Sequence, residues 1–412
     1  MKKTIALLLA LCLAAGMLVG CGAADTAADE TDAPVEASAA PADGTETAEP
    51  EATSEPVEYK TVDFAALYES RDADEVVATL DGHDITWQEF YYWLYMQASQ
   101  MQTYFTQMAT VYGQEYSWAD DLGDGSGETF SDLAVDNAGF MLCQLYGIES
   151  YAEENKIRLT QADEADIAAQ LESNIAAICG EGATEEDFNE KLAETYLDRE
   201  LYDRLNRVDK IYNNGLIAKY GESGSKVSEA DAVKYLEDNG YLAASHILLM
   251  TQDPATREAL SEDEIAEKKA QAEKIAEELG AIDDEKKLLA RFAELKNEYD
   301  EDTGKVYYPD GYVFTEGTMV TEFEDAVKSL KAGEVSDVVE SSYGYHIILR
   351  LAHDADRTVS YSSDGSEKYT ARFMCASQKY SDEMESYVTE FKLDYVDGFK
   401  VDISEFESTV TE

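Results

Sequence analysis

"SSYGYHIILRL" (Ser341–Leu351) is the stretch on which the fold turns. Beyond Gly344 it is apolar on alternating positions of both parities, the pattern of a strand buried on two faces. Yet His346 stands near its start. A second apolar run, "ASHILLM" (Ala244–Met250), also carries a histidine, His246. The chain has only four histidines, the others being His83 and His353. In a strand His246, Leu248 and Met250 share one face and Ile247 and Leu249 the other, while His346, Ile348 and Arg350 share a face of the last run. A neutral imidazole has one donor and one acceptor nitrogen, so two histidines on neighbouring strands satisfy each other while buried. If the two runs are neighbours in one sheet, the imidazoles can lie side by side, and two histidines in apolar strands are tolerable as partners.

The segments between them complete a unit. Ser261 with Glu264 has capping-box spacing and opens a helix that stops at Gly280. A second helix covers roughly 284–297. A polar loop, "NEYDEDTGKVYYPD", leads to a short strand, "GYVF". "TEFEDAVKSL" is a helix ended by "KAGE", and "VSDVVES" is the strand before the last one. The order is βααβαββ, an α+β unit with a small sheet covered by helices. Met319 and Phe323 are four apart and share a face where the third helix begins.

The rest of the chain has a different texture. "MKK" and the apolar run "TIALLLALCLAAGMLVG" form a signal segment, too short for a membrane span, with Cys21 directly after it. Residues 22–58 hold 11 acids, four of the six prolines and no Lys or Arg, so 21–58 is read as an acidic disordered tether. "EVVATLDGHDIT" reads as a hairpin turning at Asp81-Gly82. Thr86 with Glu89 predicts a helix from Trp87, with Phe90, Trp93, Leu94, Gln97, Met101, Tyr104, Phe105 and Met108 as its stripe. That stripe reads as core rather than a client-binding groove. Helical patterns continue to about Tyr220. Near the C-terminus Met384, Tyr387, Val388 and Phe391 form an apolar helical face. One helix cannot bury itself, so segment 354–412 is expected to pack back on domain 59–240. Once Cys12 and Cys21 are set aside, Cys143, Cys179 and Cys375 remain, an odd number. Their apolar surroundings suggest buried free thiols; a Cys143–Cys375 bridge is the alternative.

The three blocks "ASHILLM", "GYVFTEGTMVTEFEDAVKSLKAGEVSDVV" and "SSYGYHIILRL", in order and at compatible spacing, resemble the parvulin family of peptidyl-prolyl cis/trans isomerases. The whole chain resembles PrsA-type foldase lipoproteins, with "VVATLDGHDITWQEF" similar to the start of their chaperone-like domain. Leu18–Cys21 resembles the bacterial lipobox, which implies cleavage after residue 20 and lipid on the Cys21 thiol; an ordinary secretory signal is the alternative. The resemblance implies catalytic roles for His246, His346 and Asp302, a proline-gripping wall from Met319 and Phe323, and a hydroxyl at Ser341. Asp300 takes the acidic position if the loop is gapped. One departure stands out. Where many parvulins have Gly-Gly-Asp-Leu-Gly, this chain has "YYPDGYVF", so Gly311 or Tyr312 replaces the leucine that closes the proline pocket.

The expected organisation is thus a signal peptide (1–20), the tether (21–58), a mainly helical chaperone-like domain (59–240), a parvulin-like domain (241–353) and a helical return (354–412). With 87 acids against 32 bases, a net of −55, the surface repels nucleic acid and anionic headgroups. Amide rotation needs no metal or nucleophile, and no H-E-x-x-H, C-x-x-C, G-x-S-x-G or P-loop pattern occurs; no cofactor is expected. The reading is a foldase on the outer face of a bacterial plasma membrane, anchored through Cys21, that isomerises X–Pro bonds in unfolded or emerging secreted chains. The alternatives are a non-enzymatic holdase with a degenerate parvulin domain, and a solute-binding lipoprotein, whose repeated βαβ units are missing from this sequence.

Overall fold

The computed structural model describes residues 58–411 apart from 363, 364 and 366. The signal segment, most of the tether and Cys21 lie outside the described residues. The described residues fall into two compact units: 58–218 with 380–411, and Lys219–Lys379.

The second unit holds the two histidine strands. Its sheet comprises β1 (Leu242–Met250), β2 (Tyr312–Phe314), β3 (Val339–Ser341) and β4 (Gly344–Arg350), in the antiparallel order β2-β1-β4-β3. Three helices join them: α1 (Glu262–Gly280), α2 (Glu285–Tyr299) and α3 (Thr321–Ser329). This is the βααβαββ order read from the sequence, with β1 and β4 adjacent. The Ser261–Glu264 capping box is fully formed. Strand alternation then sorts the core into two layers. Ile247, Leu249, Tyr345, Ile347 and Leu349 pack under Ile275 and Leu279 of α1 and Phe292 and Leu295 of α2. Ala244 and Ile348 pack on the other face with Phe314 and with Phe323 and Val327 of α3. The histidines fall on this α3 face.

The second unit extends beyond the expected limits of 241 and 353. Helix Glu229–Asp238 buries Ala232 and Leu236. The Arg372 guanidinium donates to the Val227 carbonyl at 2.6 Å, and Lys379 pairs with Asp231 at 3.3 Å. The stretch after His353, expected to be only polar, forms a hairpin of Thr358–Tyr361 and Lys368–Thr370 that runs into helix Ala371–Val388.

In the first unit, helix Trp87–Tyr112 starts where Thr86 caps it, the Thr86 hydroxyl accepting from the Glu89 amide. Asp81 and Gly82 both take positive φ in the hairpin turn. The buried stripe of this helix includes Trp87, Phe90, Tyr91, Leu94, Ala98, Phe105 and Ala109; Tyr104, expected on it, is 51% exposed. Strands the sequence reading missed complete the unit. Glu58–Val62 pairs with Glu407–Thr411, and Leu393–Tyr395 joins the 76–86 hairpin. The C-terminal helix therefore stops at Val388 instead of running on past Phe391, because "LDY" is drawn into a sheet. Met384 and Val388 are buried, and Tyr387 stacks edge-on against Tyr151 at 5.3 Å. Cys143 and Cys375 are buried free thiols and Cys179 is half-buried; none of the three is bridged. No described helix is long and apolar enough to cross a membrane.

Candidate active site

β1 is the key to the geometry. β2 pairs with it only over Leu242–Ala244, so from His246 onward that edge of β1 has no strand partner. The acids of the loop after α2 take the place of one. Asp300 Oδ1 accepts from the Leu248 amide at 3.0 Å, the Glu301 amide donates to the Leu248 carbonyl at 2.9 Å, and Glu301 Oε2 accepts from the Met250 amide at 2.8 Å. Backbone donors on a buried strand must be satisfied, and these side chains satisfy them. The loop stitched down in this way places Asp302, not Asp300, against the histidine: His246 Nε2 lies 3.0 Å from Asp302 Oδ2.

His246 faces Ile348 and His346 faces Leu248 across the β1–β4 ladder, so the histidines are diagonal neighbours. Their Nδ1 atoms are 3.0 Å apart, with ring centroids at 5.2 Å. His346 Nε2 in turn meets Ser341 Oγ at 2.7 Å from β3. Four of the expected residues thus form one chain, Asp302–His246–His346–Ser341. The imidazoles are buried, and the two ends are half-buried.

Proton accounting orients this chain. Burial alone raises the Asp302 carboxyl. The hydrogen bond and charge attraction of His246, the Tyr312 hydroxyl and the Gly304 amide outweigh it and hold the group at about 2, so Asp302 is an ionised acceptor. His246 must then present Nε2–H to it. With no second proton on His246, its Nδ1 accepts from His346 Nδ1–H, and His346 Nε2 accepts from the Ser341 hydroxyl. A second proton on His246 reverses the last two bonds without moving a heavy atom. Burial, reinforced by the neighbouring His246, pushes His346 down to about 3, so this imidazole is neutral near pH 7.

The apolar wall stands over the pair. Phe323 packs edge-to-face on both imidazoles, 5.4 Å from His246 at 84° and 5.7 Å from His346 at 67°. Met319 packs on the same cluster, half-buried. Its position depends on Glu324, a buried acid the sequence reading passed over. The N-cap of α3 is Val320, which has no capping side chain, and Glu324 accepts instead from the Met319 amide at 2.9 Å and the Gly317 amide at 3.1 Å. An acid in the first turn behind a valine cap was the available signal. Tyr312, named from the sequence only as a substitute for a pocket leucine, has a different part: its hydroxyl donates to Asp302 Oδ2 at 2.5 Å. It lies in the stretch that departs from the parvulin pattern. Among the described residues no group of three or more His, Cys, Asp and Glu side chains is disposed to hold a metal ion.

Comparison with known proteins points the same way. Residues 246–352 match the model of the rotamase, or PPIC-type PPIASE, domain. The chain is 32% identical over 182 residues to the foldase protein PrsA of Oceanobacillus iheyensis, covering 43% of this chain and 51% of that one. It is 43% identical over 108 residues to foldase protein PrsA 1 of Bacillus cereus, covering 26% and 29% respectively. The matches thus span about half, or less, of the length of these curated relatives. The crystal structure of PrsA from Bacillus subtilis aligns with 77% of this chain and 92% of that one, at 21% identity and a TM-score of 0.24, a superposition too loose to argue from. The second unit is a parvulin-type domain. Beyond that domain, the chain is similar to PrsA foldases over the spans given.

Proposed function

We propose that the chain is a peptidyl-prolyl cis/trans isomerase acting as a lipid-anchored extracytoplasmic foldase. The observation that carries this is the hydrogen-bonded chain of Asp302, His246, His346 and Ser341 lying beneath the Phe323 ring. The reaction breaks no covalent bond. An X–Pro amide must rotate over a barrier of roughly 18–20 kcal/mol held up by resonance. Phe323 and Met319 grip the proline ring. The apolar wall strips water from the amide carbonyl, and loss of those hydrogen bonds weakens the resonance. The fixed polar chain offers the half-buried Ser341 hydroxyl at its end to the twisted amide, with the imidazoles behind it, and because it is already ordered it costs no reorganisation at the moment of rotation. Asp302 orients the pair through His246 Nε2.

The substrates are unfolded or emerging secreted polypeptides, bound by the helical unit and presented to the parvulin domain. Cys21 ties the chain to the outer face of a bacterial plasma membrane, with the acidic tether spanning up to about 120 Å when extended. Support for the anchor is the Leu18–Cys21 pattern. Changing Cys21 to Ser should release the protein from the membrane; if it still partitions there, the anchor lies elsewhere. The activity is tested by a protease-free isomerisation assay on tetrapeptides that vary the residue before proline. Acceleration that depends on that residue is expected. No acceleration of any tetrapeptide would leave the holdase reading in its place.

A further inference from the structure

We infer that Tyr312 is a positioning residue of this site: its hydroxyl clamps the Asp302 carboxylate and thereby fixes the orientation of His246 and the imidazole chain beyond it. The inference deepens the isomerase reading and rests on it for its kinetic part. Asp302 stands at the head of the short turn Thr303–Val306, with Oδ1 held by the Gly304 amide at 2.9 Å. Oδ2 receives both His246 Nε2 at 3.0 Å and the Tyr312 hydroxyl at 2.5 Å. A carboxylate on a turn is free to rotate away from one donor. With a donor on each oxygen and a second on Oδ2, rotation breaks at least two charge-assisted bonds. The Tyr312 ring also lies edge-on to His246, 5.7 Å away at 81°, and Tyr308 backs it at 5.0 Å.

Two glycines indicate that this contact is built. Gly311 takes φ +97°, and a Cβ there would lie 2.7 Å from both the Ala244 carbonyl and Leu351 Cδ1. Only glycine turns the chain so tightly against β1 and delivers Tyr312 inward. On the far side, a Cβ on Gly304 would lie 2.2 Å from the Tyr312 hydroxyl oxygen. Gly304 is the notch that admits the hydroxyl. The departure "YYPDGYVF" is therefore an exchange: an apolar pocket residue is given up and a fifth member of the polar chain is gained. Tyr312 acts through Asp302 and is not itself a catalytic residue.

The test uses Tyr312→Phe, which keeps the ring, and Gly304→Ala, which keeps the tyrosine but pushes its hydroxyl off Asp302. In the full chain, each should lower kcat on an X–Pro tetrapeptide about tenfold, with KM nearly unchanged, as expected for losing one charge-assisted bond. In an Asp302→Ala background, Tyr312→Phe should cost less than about twofold, since the group it acts through is gone. Imidazole ¹H–¹⁵N spectra give a readout independent of turnover: the His246 Nε2–H signal should shift and exchange faster in both variants than in the unaltered chain. If Tyr312→Phe leaves kcat and that signal unchanged, or costs the same with and without Asp302, the clamp is refuted while the isomerase reading stands. If the unaltered chain has no turnover, the isomerase reading fails and the imidazole signal alone decides the clamp.

Discussion

Each unit holds a polar network at least partly out of water, and two of these are built on opposite plans. In the first unit Arg204 is held between Glu89 at 2.9 Å and Glu149 at 2.6 Å, with its guanidinium 4.1 Å over the Tyr146 ring. Every member is a partner of the cation, and the cluster closes on itself. In the second unit the groups run in a line, Tyr312–Asp302–His246–His346–Ser341, with buried imidazoles and half-buried ends. A closed cluster of charges holds helices in register and leaves nothing over. A linear chain of groups with two proton arrangements presents fixed polarity to whatever lies beside it. The same two needs, burial and satisfaction, thus yield a fastening in one unit and a site in the other.

Removing one member separates the plans. Arg204→Ala leaves two carboxylates partly buried without their cation. It should destabilise the first unit by about 2–4 kcal/mol, between the values for surface and fully buried pairs. Denaturant unfolding followed by tryptophan fluorescence reads this unit alone, since Trp87, Trp93 and Trp118 all lie in it. Turnover per folded molecule should not change. His346→Ala should cost the second unit about 1–3 kcal/mol for the stranded His246 nitrogen, and turnover should fall as well. If Arg204→Ala lowered corrected turnover as much as His346→Ala, the contrast would collapse.

The two plans also differ in the sign of the pH response. In the second unit His346 is depressed from 6.5 to about 3 and Asp302 from 3.8 to about 2. Their stabilisation is complete above the unfolded values and is lost as pH falls through the folded ones. As pH falls below about 6.5, His346 should therefore lower the stability of the second unit progressively. In the first unit burial raises Glu89, against the pull of Arg204. Its contribution is present at low pH and is lost as pH rises through the raised value, the opposite sign. Stability measured against pH for Glu89→Gln and His346→Asn should therefore change slope in opposite directions. Slopes of the same sign would break the comparison.

Part of the site was legible because strand alternation follows from sequence spacing and gives each histidine its face; the adjacency of the two strands was only a condition of that reading, and the diagonal register is a tertiary fact. Asp302 could be reached only through the resemblance, with Asp300 open as its rival. What decides between them is the stitching of the loop to the free edge of β1, a tertiary bond pattern that leaves no periodic trace. Tyr312 was flagged as a departure, but its role depends on a hydroxyl crossing to a turn ten residues earlier. The helical patterns of the first unit were readable from their caps. Its strands were not, because Glu58–Val62 and Glu407–Thr411 are short and find partners more than 300 residues away. The extra hairpin after His353 was likewise hidden in a polar stretch.

The central claim, that the imidazole chain beneath Phe323 performs isomerisation, is tested most directly by turnover on an X–Pro tetrapeptide, corrected for folded fraction. Phe323 is only 3% exposed, so truncation to Ala would cost about 3–5 kcal/mol and confuse unfolding with lost grip; Phe323→Leu is the usable change. Measured across His346→Ala, Asp302→Asn and Phe323→Leu, corrected turnover should fall by about tenfold or more in each. Unchanged corrected turnover in all three would contradict the account and leave a buried histidine pair with no part in catalysis.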